Sequence, residues 1–190
     1  MDLNAGLVLR PWSFGDAAAV VAAFATADMA QQAAEPITDE AAAVRWLEWA
    51  TRRRDRGSGW AFAVTGDDDI PVANMAVTDI DRHDCGWVSY WVSEPARGLR
   101  VASDALRAVV RFVHEQQRVV RLELGHRLNN PASGRVAVNA GFGLEGVERG
   151  KLCYGGERFD VARLARLAWD PCPEPSRPVS VRPADHFASA

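Results

Sequence analysis

Between the aromatic stretch Gly86 to Val92 and a helical pattern opening at Val101 runs EPARGLRVASDAL, residues 94–106, in which Arg97, Gly98, Leu99 and Arg100 stand directly ahead of Val101, Ala102 and Ser103. A strand that passes through a short loop into a helix leaves the first N–H groups of that helix without intrahelical partners. Together with the partial positive charge of the helix start, these groups favour an anion by about 0.3–1 kcal/mol per charge at exposed positions. Gly98 and Ala102 leave room for a ligand to reach the main chain, and Arg97, Arg100 and Arg107 add mobile charge. A phosphate cradle is one reading; a plain turn at Gly98 beside a solvated arginine face is the other.

A second stretch, NNPASGRVAVNAGF at residues 129–142, carries the devices of a short helix. Asn130 can cap it, Pro131 fits a first helical position where no N–H is required, and Gly141 can take the left-handed conformation that ends it. Acids and bases that could move a proton sit near strand ends: Glu94, Asp79, Asp81, Glu123, His83 and His126, each of which also reads as a solvated surface group. Cys85, Cys153 and Cys172 are widely separated, without zinc-site spacing or the even count of a disulfide framework, so no metal is expected and a reducing cytoplasm fits.

The elements that must position these groups follow from periodicity. Leu7 to Leu9 reads as a first strand, Asp16 as the cap of a helix through Phe24, and Thr38 as the cap of a second helix that ends by Gly57. Trp60 to Val64, Pro71 to Ile80 and Gly86 to Val92 make a three-strand meander. The helix after the loop places Ala102, Leu106, Val109, Val110 and Val113 on one face and Asp104, Arg107, Arg111 and Glu115 on the other. Val119 to Leu124 alternates as a half-buried strand, and Leu144 to Trp169 reads as two strands joined at YGG, though VARLARLA alone reads equally as helix.

The 190 residues, 48% hydrophobic and 25% charged, suit one domain over residues 1–170 followed by a proline-rich flexible tail, 171–190. A net charge of −3 gives no global field to attract nucleic acid. The N-terminus does not read as a secretory signal, and the apolar run from Ala17 to Ala27 is too short to span a bilayer, so no membrane association is expected.

This order of elements, from about residue 7 to 169, resembles the GNAT superfamily of N-acetyltransferases. Members carry a pyrophosphate loop of the form Q/R-x-x-G-x-G/A, against which this chain has Arg97-Gly98-Leu99-Arg100-Val101-Ala102. First and last positions agree, while Arg100 stands where the family has glycine; a left-handed residue there costs a non-glycine about 1–2 kcal/mol. NPAS followed by NAGFGLEG is similar to the RimJ/RimL-like branch, whose members acetylate N-terminal amines of ribosomal proteins or other primary amines.

The resemblance implies an α/β (α+β) fold, a mixed and mostly antiparallel sheet splayed between its fourth and fifth strands and flanked by helices. It implies acetyl-CoA as acyl donor and an amine on a protein N-terminus or small molecule as acceptor. Gly98 through Ser103, with Arg97, would hold the pyrophosphate, Tyr90, Trp91 and Val92 would offer main-chain groups to the pantetheine arm, and Asn130 would contact the cofactor near the reacting centre. Ser133 matches the position that gives a proton to the leaving thiolate, and Glu94 is the carboxylate put forward beside it. Leu152 falls where the branch has a glutamate. Members of the branch often form dimers, so a homodimer is compatible. Trp46, Trp49, Trp60 and Trp87 could line an acceptor pocket, although tryptophans at such spacing also build cores. A non-catalytic acyl-CoA sensor is the competing reading; a Rossmann domain is disfavoured because G-x-G-x-x-G is missing and antiparallel strands precede the loop.

Overall fold

The computed structural model describes residues 2–182 except 31, 34, 56 and 57. Its strands are β1 (Leu7–Pro11), β2 (Trp60–Thr65), β3 (Pro71–Thr78), β4 (Cys85–Val92), β5 (Arg121–Arg127), β6 (Gly143–Tyr154), β7 (Glu157–Leu167) and β8 (Val179–Val181). Its helices are α1 (Ala17–Phe24), α2 (Ala27–Ala30), α3 (Glu40–Asp55), α4 (Val101–Gln116) and α5 (Pro131–Asn139). The strands form one sheet in the order β6-β7-β5-β4-β3-β2-β1-β8, antiparallel except for the β4–β5 and β1–β8 pairs.

Strand alternation sorts the central side chains onto two faces. Trp60, Phe62 and Val64 pack with Leu106, Val109 and Val113 of α4, whereas Ala61, Ala63 and Ala76 meet α1 and α3 with Trp12, Phe24 and Trp91. The apolar stripe expected of α4 is buried throughout, at about 1.5–3 kcal/mol for each large aliphatic.

One feature of the sheet makes room for a ligand. β4 and β5 pair in parallel only at Cys85↔Arg121, Gly86↔Leu122 and Trp87↔Glu123, after which β5 stays with β7 as far as Arg127↔Val161. The last five residues of β4 therefore run away from β5, giving the splay expected between fourth and fifth strands.

Several local expectations change. Asp16 does not cap α1: its carboxylate turns back to a two-pronged pair with Arg10, both contacts 2.9 Å, and accepts the Ser13 N–H at 2.8 Å. Asp39 rather than Thr38 caps α3, accepting the Ala42 N–H at 2.8 Å; the expected end of that helix at Gly57 lies outside the described residues. The short helix α2 has no counterpart in the sequence reading. Asn130 does cap α5 through the Ser133 N–H at 3.2 Å, and Gly141 ends it at φ +83°.

The largest correction concerns the segment expected to be a flexible tail from residue 171. Through Arg182 it lies against α4 and extends the sheet as β8, in register Leu7↔Val179 and Leu9↔Val181. Asp104, assigned by helical spacing to an exposed face, is consequently fully buried. Residues 183–190 lie outside the described residues. No described helix is long and apolar enough to cross a membrane.

Candidate active site

A cavity of about 610 Å³ passes through the sheet where β4 leaves β5. Its α4 side is lined by Tyr90, Val92, Gly98, Arg100, Val101, Ala102 and Ser103, and its opposite side by Phe24, Met29, Trp46, Trp49, Asn74 and Trp91.

The loop at the α4 end has the backbone geometry that an anion cradle requires. Gly98 at φ +78° and Arg100 at φ +60° both take left-handed conformations, so the chain doubles back before entering the helix. The first intrahelical bond of the turn is from the Asp104 N–H to the Arg100 carbonyl at 3.0 Å, leaving the N–H groups of Val101, Ala102 and Ser103 outside the ladder. A Cβ placed on Gly98 meets nothing within 4 Å, so the mouth of the cradle is open. A diphosphate, whose charge and oxygen acceptors match unpaired N–H groups at a helix start, fits these residues.

Arg97 is otherwise engaged. Its Nε donates to the Val92 carbonyl at 3.1 Å and its terminal nitrogen pairs with Asp28 at 2.8 Å, tying the loop to β4 and α2. Leu99 is exposed and outside the cavity lining, its carbonyl held instead by Arg177. Glu94 is exposed on the 3-10 turn Glu94–Ala96, outside the lining as well, because that turn carries its side chain toward solvent.

On β4, the Ser93 N–H bonds the Val72 carbonyl of β3 at 2.8 Å. Alternation then turns the main-chain groups of Trp91 to β3 and those of Tyr90 and Val92 to the gap. Of the three residues expected to offer main-chain groups, two face the opening and Trp91 contributes its ring. With the Val92 carbonyl occupied, its N–H remains.

Side chains meet across the gap at Tyr90 and Ser133. The Tyr90 hydroxyl donates to the Ser133 carbonyl at 2.9 Å and lies 2.9 Å from Ser133 Oγ, where either oxygen can donate. If the phenol proton goes to the carbonyl, the serine proton goes to the phenol; if the phenol turns to Oγ, the serine proton is freed for the cavity. Burial pushes the Tyr90 phenol up to about 12, partly opposed by its bond to Ser133, so it is a neutral donor through the whole neutral range.

The aromatic wall differs from the expected set. Trp46 and Trp49 belong to it, 6.0 Å apart. Trp60 lies on the other face against Phe112, and Trp87 lies under the Arg163 guanidinium at 4.6 Å. In their place stand Phe24 and Trp91, 5.6 Å apart, with Trp12 packed behind and donating its Nε1–H to Asn74 at 2.9 Å. Sequence reasoning missed Trp12 and Phe24 as part of this wall; the one sequence signal was that Phe24 is the aromatic at the end of the alanine-rich first helix. Asp28 is the one carboxylate among the described lining residues, and it pairs with Arg97.

Comparison with known proteins agrees with this architecture. Residues 6–143 match the acetyltransferase (GNAT) domain family. The ribosomal-protein-serine acetyltransferase of Escherichia coli strain K12 is 34% identical over 80 residues, 42% of this chain and 45% of that protein, so the match spans less than half of the curated relative. Among solved structures, Mycobacterium smegmatis RimJ in complex with CoA-disulfide superposes with a TM-score of 0.78 at 20% identity, over 87% of this chain and 84% of that one. RimL, the ribosomal L7/L12 alpha-N-protein acetyltransferase in complex with coenzyme A, gives 0.77 at 20% identity over 84% and 92%.

Proposed function

Since the chain belongs to the acetyltransferase (GNAT) domain family, we propose that it is an acetyl-CoA-dependent N-acetyltransferase of the RimJ/RimL-like branch, acting on a primary amine of a protein N-terminus or a small molecule. The observation that carries this reading is the open set of N–H groups at Val101 to Ser103, facing a cavity that crosses the sheet at its splay. Acetyl-CoA, when bound, supplies the acyl group already activated as a thioester. Val101, Ala102 and Ser103 hold the diphosphate, helped by Gly98 and by the Arg100 side chain. The Tyr90 and Val92 main chain runs beside the pantetheine arm. Asn130, whose Oδ1 is fixed by the helix it caps, has its amide N–H₂ left for the cofactor. Ser133 Oγ holds a proton for the departing thiolate, oriented by Tyr90. The three free cysteines suit a reducing cytoplasm.

Incubating the protein with acetyl-CoA and a broad panel of amines tests the reading. Thiol release above background with at least one acceptor is expected. Coenzyme A binding with no turnover across the panel would return the chain to the acyl-CoA sensor class, and no binding would remove both.

Tyr90→Phe is expected to lower kcat about 3–10-fold by deleting the phenol's contacts to the Ser133 carbonyl and Oγ. Because the phenol titrates only near 12, the ratio to wild type should stay flat between about pH 6 and pH 9. A ratio that changes across this interval would assign the tyrosine a different role.

A further inference from the structure

We infer that Arg177, on the C-terminal segment, is a positioning residue for the cofactor loop: its guanidinium holds the Leu99–Arg100 peptide in the orientation that lets arginine occupy the left-handed position. This rests on the coenzyme A reading of the loop. Three partners converge on the one side chain. Nε donates to Asp104 Oδ2 at 2.8 Å, and the two terminal nitrogens donate to the carbonyls of Leu3 and Leu99. Asp104 is itself fully buried and fixed further by the Ser176 N–H at 2.7 Å and the Ser176 hydroxyl at 2.9 Å. β8 then pins the same segment to β1, with the Leu7 N–H on the Pro178 carbonyl at 2.9 Å.

The consequence for the loop is geometric. In a trans peptide, C=O and N–H point in opposite directions. Drawing the Leu99 carbonyl to Arg177 therefore directs the Arg100 N–H away from it. A flip of this peptide would release φ of Arg100 from +60° to the region a side-chain-bearing residue prefers, and would turn the N–H with it. Glycine would tolerate the left-handed state unaided; arginine at this position is held there by a bond from a segment 78 residues away.

The test is calorimetric titration with coenzyme A of the full-length wild type, Arg177→Ala, Arg111→Ala and the double variant Arg100→Gly/Arg177→Ala, with melting curves for each. Arg111 pairs with Glu174 on the same segment but makes no bond to the loop. Arg177→Ala is expected to weaken binding about tenfold, raising KM for acetyl-CoA with little change in KM for the amine. Arg111→Ala should bind like wild type, and Arg100→Gly/Arg177→Ala should bind like Arg100→Gly measured beside it, because glycine keeps the left-handed state without the bond whatever the Arg100 side chain gives the diphosphate. Unchanged affinity in Arg177→Ala, or equal weakening in Arg177→Ala and Arg111→Ala, would overturn the inference while leaving the acetyltransferase reading intact. Failure of the wild type to bind would instead strike that reading. Should Arg177→Ala not fold, Arg177→Lys, which can pair with Asp104 but cannot fork to the Leu99 carbonyl as well, carries the same readings.

Discussion

Ser133→Ala is expected to lower kcat on the order of 10²-fold while leaving KM for acetyl-CoA within about twofold. The hydroxyl stands at the cavity wall on the first turn of α5, with its own N–H tied to Asn130 Oδ1 and its Oγ 2.9 Å from Tyr90. On the acetyltransferase reading, removing it deletes the proton held for the departing sulfur and leaves the loop proposed for the diphosphate, on a different helix, untouched. The size sits at the lower end for a general acid because a serine hydroxyl is weakly acidic and part of its effect is placement. Steady-state kinetics separate the possibilities: a rise in KM with constant kcat would make Ser133 a binding contact, and full activity would dismiss it from the chemistry.

Asp104→Ala is expected to cost about 3–5 kcal/mol of folding stability, read from denaturant midpoints. The carboxylate has no exposure, accepts from Ser176 twice and from Arg177 once, and has Arg107 at 3.5 Å. Its loss leaves the Arg177 guanidinium, itself 10% exposed, without a counter-charge in a site closed to water. The exposed pair between Arg111 and Glu174 provides the contrast, since Glu174→Ala should move the midpoint far less than Asp104→Ala despite a shorter contact. Equal costs for the two variants would mean that burial of Asp104 contributes nothing beyond its contacts.

Much of this architecture was legible because it depends on neighbours in sequence. The stripe of Ala102, Leu106, Val109 and Val113 requires a helix over a sheet, and Asn130, Pro131 and Gly141 mark both ends of α5. The loop was legible for the same reason: its N–H groups are unpaired whatever surrounds them. What escaped the sequence depends on distant partners. Val179 to Val181 is a three-residue run among prolines, too short to read as a strand until β1 supplies its other half. Asp104 shares helical spacing with Arg107 and Arg111, a solvated pattern that inverts once residues 174–177 cover it. Glu94 stands beside the loop in sequence, but a one-turn helix aims it outward. Trp60 faces α4, away from the acceptor side, and Trp87 shares the face of Trp91 but stands at the far end of β4 against Arg163, a matter of sheet register rather than residue type.

The parting of β4 from β5 has a consequence for how two reactants can meet. The strands are stitched together at Trp87 and Glu123 and open beyond them, so the passage is a doorway with a fixed lintel, entered from the arginine-rich side and from the tryptophan side. None of the three cysteines stands in it to carry an acyl group from one visitor to the next. On the acetyltransferase reading, donor and acceptor must be aboard together, each from its own side, and the acetyl group changes hands once, in the plane of the sheet.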